Sequence, residues 1–337
     1  MRLSRRALLA AAGALPLLAA RSGLAAEPAR IRIGWVVASS NWPAFLFAKE
    51  GVARHQGASY QMEDVHFSGT PQMITALASG DLDIATLAYS SFALAVENAK
   101  MEDLRVIADD FQDGVPGYYS DEYMVLKDGP IRAVEDLKGK VLATNGAGSA
   151  VDIGLRAMLR KHGLEDKRDV TIIEIGLPNM KAVLSEKKAD LVCAVTPFSW
   201  DPGLRSIART LFTQKEAVGT TQMIVWAARA GFLEKNRAAM GDFMADALRA
   251  RHFFLDPAHH TEAVELVAKV ARLPPERLED WLFTKDDYYR DPDGLPNLDA
   301  LQANVDLQRQ LGFLKSGFDV RKYADLALAR AAMASVK

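Results

Sequence analysis

The sequence has 337 residues, of which 49% are hydrophobic and 25% are charged. This composition excludes collagen-like, mucin-like and wholly disordered chains, and the length suits one large or two medium domains. Its 41 basic residues nearly balance 43 acidic ones, for a net charge of −2. Because nucleic-acid-binding proteins show a basic excess, we predict no nucleic-acid partner. The only cysteine, Cys193, excludes an intrachain disulfide.

The N-terminal residues predict a secretory signal peptide over residues 1–25. A basic stretch, Met1–Arg6, precedes the uncharged apolar run Ala7–Ala20, and small residues then favour cleavage near Ala25. The apolar run is shorter than the roughly 20 residues of a membrane-spanning helix. The residues Ser4–Leu9 (SRRALL) also resemble the twin-arginine pattern, so both the general secretory and the twin-arginine routes stay open. The sequence predicts a periplasmic protein.

The chain after the signal peptide begins with strands that alternate with helices. Such alternation is typical of parallel βαβ units and predicts the α/β class. The predicted strands are Ile31–Val37, Tyr60–Phe67, Leu82–Leu87 and Leu104–Ala108, and the predicted helices are Ala44–Glu50, Gln72–Ser79 and Phe92–Ala99.

A second α/β series follows after a connection at Tyr118–Lys127. Its predicted strands are Lys140–Thr144, Val170–Ile175 and Ala189–Val195, and its predicted helices are Ala150–His162 and Lys181–Lys187. After a last strand, Gln222–Ala227, the periodicity becomes helical. We expect the following helices to cover the first domain: Ala230–Phe254, Thr261–Ala271, Pro275–Phe283 and Leu298–Leu311.

Hydroxyl-bearing residues and glycine follow the predicted strands and stand near helix starts. In an open α/β sheet, ligands bind beyond the carboxyl ends of the strands, and helix N-termini attract anions. The alternative is that each loop only caps its helix. We therefore predict that a small anion or polar group is bound by Ser39, Asn41, Ser68, Gly69, Thr70, Tyr89, Ser90, Gly148, Ser149 and Thr196, with the N–H groups of Ser149 and Ala150 as donors.

Aromatic and acidic side chains accompany these loops. Aromatic faces suit an organic ligand, and core packing is the alternative role. The segment Asp109–Glu122 carries five carboxylates, which suit acid–base chemistry or a cationic group; a solvated acidic loop is the alternative. The further candidates are Trp42, Phe198, Tyr118, Tyr119, Asp121, Glu122 and Trp226. No HExxH or similar spacing joins the histidines, so we predict neither a metal nor a cofactor.

Four segments resemble the periplasmic substrate-binding proteins of nitrate/sulfonate/taurine-type ABC transporters, a superfamily with a thiamine-precursor branch. They are Ile31–Gly51, Phe67–Tyr89, Ile131–Ser149 and Lys188–Phe198. The resemblance implies a two-lobed periplasmic-binding-protein fold, with two α/β sandwich domains joined by two crossover segments. Lobe I would comprise residues 26–117 and 222–337, and lobe II residues 118–221. It also implies a ligand in the cleft, a monomer, and an ABC permease with its ATPase as partners.

Three functions remain open from the sequence. The first is capture of a small organic anion, a sulfonate or a carboxylate. The second keeps the binding role with an aminopyrimidine as ligand, held by the carboxylates of Asp109–Glu122. The third is a desulfinase-like hydrolase on the same fold, with Cys193 as nucleophile. The export signal and the position of Cys193 inside a strand argue against an enzyme.

Overall fold

The computed structural model describes residues 27–336. The predicted signal peptide, residues 1–25, lies outside this range. Within the described range, no helix is both long and apolar enough to cross a membrane.

Within residues 27–336, ten strands form two five-stranded mixed sheets. The first sheet has the order β2-β1-β3-β10-β4 and the second β7-β6-β8-β5-β9. We call the units built on these sheets lobe I and lobe II; the lobe boundaries predicted above stay a prediction. The strands are β1 (Ala29–Trp35), β2 (Tyr60–His66), β3 (Ile84–Ala88), β4 (Leu104–Asp113), β5 (Glu122–Leu126), β6 (Val141–Thr144), β7 (Thr171–Glu174), β8 (Leu191–Ala194), β9 (Ala208–Thr213) and β10 (Thr221–Arg229).

The two lobes repeat one plan. In lobe I, β1 lies parallel to β2 and β3, whereas β10 runs antiparallel between β3 and β4. In lobe II, β6 lies parallel to β7 and β8, whereas β5 runs antiparallel between β8 and β9. The chain crosses between the lobes twice, from β4 to β5 and from β9 to β10. Each crossing therefore delivers one antiparallel strand to the interior of a sheet.

Two sequence predictions about strands were wrong. The connection Tyr118–Lys127 contains β5, whose central residues are buried between β8 and β9. The strand predicted to end at Ala108 continues to Asp113, because the rest of β4 pairs with β10 and with a C-terminal segment. Gln112 and Tyr289 exchange backbone hydrogen bonds of 2.8 and 3.1 Å there. The carboxylates of β4 therefore lie inside the molecule and not in a solvated loop.

The described helices flank the two sheets. Those that follow β10 pack on lobe I, as predicted, with α9 against β2 and α11 against β10. The α-helices are α1 (Trp42–Phe45), α2 (Thr70–Ser79), α3 (Tyr89–Glu97), α4 (Ala150–Lys161), α5 (Met180–Ser185), α6 (Pro202–Ile207), α7 (Gln214–Val218), α8 (Ala230–Lys235), α9 (Arg237–Leu255), α10 (His260–Ala271), α11 (Leu298–Gln310) and α12 (Ala327–Ser335).

The helical predictions need three corrections. The helix predicted over Ala44–Glu50 ends at Phe45, and residues 46–50 are not helical. The span predicted as one helix from Ala230 to Phe254 is divided at Asn236, where α8 ends and α9 begins. The predicted helix Pro275–Phe283 is a short 3-10 turn, Pro275–Arg277, followed by further turns. Phe283 has a φ of 59°, in the left-handed region, which no α-helix continues through. The sequence reasoning also missed β9, α6, α7 and α12.

Candidate ligand-binding cleft

A small chamber lies between the two lobes. Its volume is about 70 Å³, and both sheets contribute to its wall. Because residues from both lobes surround it, a molecule held here contacts both at once. The lining residues are Val36, Val37, Ser40, Asn41, Thr70, Ala88, Phe111, Asp121, Asn145, Ser149, Ala150, Val151, Leu177, Val195, Thr196, Met223, Ile224 and Tyr288.

A wider groove of about 940 Å³ adjoins the chamber, and the two cavities share Val36, Val37 and Leu177. Aromatic side chains from both lobes line it, Trp35 and Phe67 from lobe I and Phe198 from lobe II. The groove is large enough for a small organic molecule and lies beside the chamber.

The loop after β1 forms the lobe I side of the chamber, and Asn41 fixes its shape. Asn41 Oδ1 accepts hydrogen bonds from the backbone N–H groups of Val36 and Val37, at 3.1 and 2.9 Å. Its Nδ2 donates to Asp110 Oδ2 at 2.7 Å. Asn41 is 3% exposed. Its role in the described structure is therefore to shape the loop, in addition to lining the chamber.

Asp110 on β4 supports this loop from inside lobe I. Its Oδ1 accepts from Trp226 Nε1 at 2.7 Å and from the Trp42 backbone N–H at 3.2 Å. Burial raises the pKa of Asp110, while its donors and the guanidinium groups of Arg290 and Arg251 act in the opposite direction. The carboxylate is thus hydrogen-bonded to the loop and to β10.

Helix α4 brings its N-terminus to the lobe II side of the chamber. Ser149 is the N-cap residue, as the sequence predicts, and its Oγ accepts from the Asp152 N–H at 3.3 Å. Gly148 has a φ of 77°, and a Cβ there would lie 2.9 Å from Leu94 of lobe I, so glycine permits both the turn and the close approach. One correction is needed: the Ser149 N–H assigned to a ligand donates to Gly146 O at 3.2 Å, because the turn closes on itself.

Asp121 reaches the chamber from the start of the segment that crosses into lobe II. It is 1% exposed, and its Oδ1 accepts from Tyr288 Oη at 2.5 Å. The Tyr288 ring stacks on Phe111, with ring centroids 4.2 Å apart. The backbone N–H of Asp121 donates to Asp113 Oδ2 at 2.7 Å. Two carboxylates therefore lie close together at the crossover between the lobes.

Burial disfavours the charged form of both carboxylates. It raises the pKa of Asp113 to about 7 and, together with the charge of Asp113, holds the pKa of Asp121 well above its ordinary value. Burial also raises the pKa of Asp109 to about 7, although Arg251 Nη2 lies 2.9 Å from its Oδ2.

These raised pKa values predict how stability depends on pH. Unfolded aspartates lose their protons near 3.8, whereas folded Asp109 and Asp113 keep theirs to about 7. Between these values the folded state binds more protons, so the free energy of unfolding falls as pH rises, by at most about 1.4 kcal/mol per pH unit per group. We expect a higher urea midpoint at pH 5 than at pH 8, with a smaller difference in Asp113→Asn. A midpoint that increases from pH 5 to pH 8 contradicts this assignment.

Polar contacts join the lobes on the two sides of the cleft. Ser40 Oγ of lobe I lies 3.0 Å from Thr196 Oγ1 and 3.1 Å from Thr196 O of lobe II. At the groove, Arg277 Nη2 donates to Asp201 Oδ2 at 2.9 Å. This ion pair, with Lys181, keeps the pKa of Asp201 at about 2, below its ordinary value. The lobes are thus in contact around the chamber.

The structure brings some of the predicted residues together and separates others. Those that line the chamber are Asn41, Thr70, Asp121, Ser149, Ala150 and Thr196, and those that line the groove are Ser39, Ser68 and Phe198. Among the described cavities, neither the chamber nor the groove is lined by Trp42, Gly69, Tyr89, Ser90, Tyr118, Tyr119, Glu122, Gly148 or Trp226.

Several of these outlying residues have structural contacts instead. Trp42 and Trp226 are buried in the core of lobe I, 0% and 1% exposed. Tyr89 Oη contacts Ala150 O across the lobes at 3.4 Å, and Tyr119 Oη donates to Ala194 O at 3.1 Å. Glu122 pairs with Arg205 at 2.5 Å. The aromatic side chains among them therefore have the packing role that the sequence left open as an alternative to ligand contact.

Among the polar residues that line the chamber, sequence reasoning did not select Ser40, Asn145 and Tyr288, and among the apolar ones it selected only Ala150. Asn145 directly follows β6, so the rule that ligands bind beyond the carboxyl ends of strands also points to it. No local signal marks Tyr288, which reaches the chamber from a turn-rich segment far along the chain.

Cys193 lies on β8 and is 1% exposed. Burial raises the pKa of its thiol, which disfavours the nucleophilic thiolate. It lines neither the chamber nor the groove. The geometry therefore disfavours the desulfinase-like alternative.

Two mixed α/β lobes, crossed twice by the chain and enclosing a chamber, define a periplasmic-binding-protein fold. Residues 24–268 match the model of the NMT1-like family, and the chain belongs to that family.

Three known proteins show the extent of the similarity. The taurine-binding periplasmic protein of Escherichia coli (strain K12) is 25% identical over 76% of this chain and 77% of its own. The alkanesulfonate-binding protein SsuA from Xanthomonas axonopodis pv. citri, solved with MOPS, has a TM-score of 0.70 at 23% identity, covering 90% of this chain and all of its own. The periplasmic nitrate-binding protein NrtA from Synechocystis PCC 6803 has a TM-score of 0.70 at 16% identity, covering 92% and 90%. The two structural likenesses establish the fold.

Proposed function

We propose that this protein is the periplasmic solute-binding component of an ABC importer and that it captures a small organic anion in the chamber between its lobes. The observation that carries the proposal is the chamber itself, which is lined from both lobes and adjoins a larger groove. A ligand in that position stabilises contact between the lobes. A permease could then distinguish the loaded protein from the empty one by its shape. The relatives named above support this role, and the protein would act as a monomer without catalysis.

Calorimetric titration tests this function. Purified protein should bind taurine or a short alkanesulfonate with one site per chain, with nitrate as a small inorganic comparison. If none of these compounds produces a heat of binding, the anion-binding role is contradicted. The groove residue Trp35 gives a second readout, because a ligand beside it changes its fluorescence.

Ser149 is proposed as an anion contact at the start of α4. Its side chain lines the chamber, and the first N–H groups of a helix have no partner within the helix. Ser149→Ala removes a hydrogen bond to a charged group, so we expect a 10- to 150-fold loss of affinity, from roughly 1.5–3 kcal/mol. Calorimetry of this variant should be paired with its melting curve. If Ser149 only caps α4, stability falls by about 1 kcal/mol and the affinity stays within twofold of the parent protein.

The signal peptide is also part of the proposal. Protein recovered from the periplasm should begin at Ala26 or Glu27 when its N-terminus is sequenced. An intact Met1 on the periplasmic protein would contradict cleavage of the predicted signal peptide.

A further inference from the structure

One carboxyl oxygen on the wall of the chamber has no hydrogen-bond partner. Asp121 lines the chamber and is 1% exposed. Its Oδ1 accepts from Tyr288 Oη at 2.5 Å, whereas its Oδ2 is buried and has no partner among the described residues. An ionised carboxylate can only accept hydrogen bonds, but a protonated carboxyl group can donate one. The protonation state of Asp121 therefore decides which ligand groups it can meet.

The surroundings of Asp121 favour the protonated form. Asp113 at the end of β4 accepts from the Asp121 backbone N–H at 2.7 Å, so a second carboxylate lies close by. Burial and the charge of Asp113 raise the pKa of Asp121. The other titratable groups that act on Asp121 or on Asp113 are Tyr119, Glu122, Cys193, Lys215 and Tyr288, of which only Lys215 is a cation.

An ionised Asp121 would lie badly beside a bound anion. Within residues 27–336, no lysine, arginine or histidine lines the chamber. Arg251 Nη1 and Arg290 Nη2 are buried without partners, but these two residues line neither the chamber nor the groove, and their guanidinium groups lie 4.6 and 5.3 Å from the Trp42 ring. Two negative charges would then share the chamber wall with no cationic side chain on it. A protonated Asp121 removes that repulsion.

We propose that Asp121 binds the anionic ligand as a neutral carboxylic acid, with the hydroxyl at Oδ2 donating a hydrogen bond to an oxygen of the ligand. This inference rests on the proposed binding function and adds that binding is coupled to uptake of a proton. Where Asp121 is ionised before binding, one proton passes from solvent to Oδ2. Tyr288 is a positioning residue, because it donates to Oδ1 and its ring stacks on Phe111 at 4.2 Å, which leaves Oδ2 for the ligand.

Two substitutions at Asp121 test which form binds. In Asp121→Asn the amide oxygen can still accept from Tyr288, and the amide nitrogen stands in for the donating hydroxyl. Calorimetric titration of the full mature chain with ethanesulfonate, with nitrate and taurine in parallel, is done at pH 6. Asp121→Asn should bind within about threefold of the parent protein, whereas Asp121→Ala should bind about 10- to 150-fold more weakly, as expected for loss of a hydrogen bond to a charged group.

The pH dependence of affinity is the second readout. The charge of ethanesulfonate and of nitrate is constant between pH 6 and pH 9, so a change in affinity reports on the protein. Affinity of the parent protein should fall over this range, by at most about tenfold per pH unit, because the anion binds the form that carries the proton. Titration in two buffers of different ionisation enthalpy should show proton uptake at pH 8. Asp121→Asn should show neither the fall nor the uptake.

Two further variants separate Asp121 from its neighbours. Asp113→Asn removes the like charge that disfavours ionisation of Asp121, so the fall in affinity should begin at a lower pH than in the parent protein. Asp166→Asn is the matched control, since Asp166 is a buried aspartate of lobe II that pairs with Arg160 away from the chamber. It should keep the pH profile of the parent protein, and melting curves confirm that each variant is folded.

Two results would overturn the inference while leaving the proposed function intact. The first is an Asp121→Asn variant that binds as weakly as Asp121→Ala, which would show that the ligand needs the ionised carboxylate. The second is an affinity of the parent protein that stays constant or increases from pH 6 to pH 9. Failure of the parent protein to bind any of the three anions would contradict the proposed function together with the inference that rests on it.

Discussion

The Asp110→Ala variant should lose about 3–5 kcal/mol of stability, as expected when one partner of a buried charge network is removed. Asp110 is 0% exposed, and its carboxylate accepts hydrogen bonds from Asn41, Trp42 and Trp226. Alanine leaves these donors without an acceptor and takes a negative charge from the neighbourhood of Arg251 and Arg290. Urea unfolding followed by tryptophan fluorescence measures the loss.

The Asp110→Ala change should also alter the wall of the chamber. Without Asp110, Asn41 loses the acceptor for its Nδ2, and the loop through Val36 and Val37 loses support on the wall of the chamber. Glu63→Ala is the control, because Glu63 forms an exposed ion pair with Arg30 and should leave the urea midpoint nearly unchanged. Equal urea midpoints for Asp110→Ala and the parent protein would contradict the claim that the Asp110 carboxylate stabilises lobe I.

The Trp42→Ala variant should be destabilised by about 3–5 kcal/mol, the range for removing a large buried aromatic side chain. The Trp42 ring packs against Phe45 and Phe254, at centroid distances of 5.2 and 6.0 Å. The guanidinium groups of Arg251 and Arg290 lie 4.6 and 5.3 Å from its ring. Alanine therefore leaves a cavity and removes a cation–π contact from two buried cations.

Trp35→Ala is the matched comparison, since Trp35 lines the groove and is only partly buried. It should cost less stability than Trp42→Ala and change ligand affinity more. The opposite outcome, with Trp42→Ala stable and defective in binding, would return Trp42 to the ligand-contact role that the sequence suggested.

Local sequence signals located part of the cleft. The capping pattern before α4 identified Ser149, and the rule that ligands bind beyond strand ends selected Asn41, Thr70 and Thr196. These residues line the chamber, and local signals could place them because a cap or a strand end is determined by a few neighbouring residues; that they bind a ligand stays a prediction. The same rule also selected Ser90 and Tyr89 at the start of α3, which are buried but do not line the chamber; Tyr89 Oη contacts Ala150 O of α4.

The acidic segment shows where local signals fail. From the sequence, a solvated loop was one of the roles left open for Asp109, Asp110 and Asp113, because carboxylates are rarely buried without partners. The cations near Asp109 and Asp110, Arg251 and Arg290, are more than a hundred residues away in the sequence, and the backbone that covers β4 includes Tyr289. Only the tertiary fold brings these groups together. Asp113 instead accepts from Ser120 and Asp121, in the loop that follows β4. The same long-range packing places Tyr288 beside Asp121, so no pattern near either residue reveals the pair.

Native mass spectrometry tests most directly that the chamber between the lobes holds a small molecule. Mature protein is incubated with a small-molecule extract of the bacterium that expresses it, and its mass is measured under native and denaturing conditions. We expect one non-covalent adduct per chain under native conditions, lost on denaturation. A bare polypeptide mass under native conditions, at extract concentrations that load a known solute-binding protein in parallel, would contradict it.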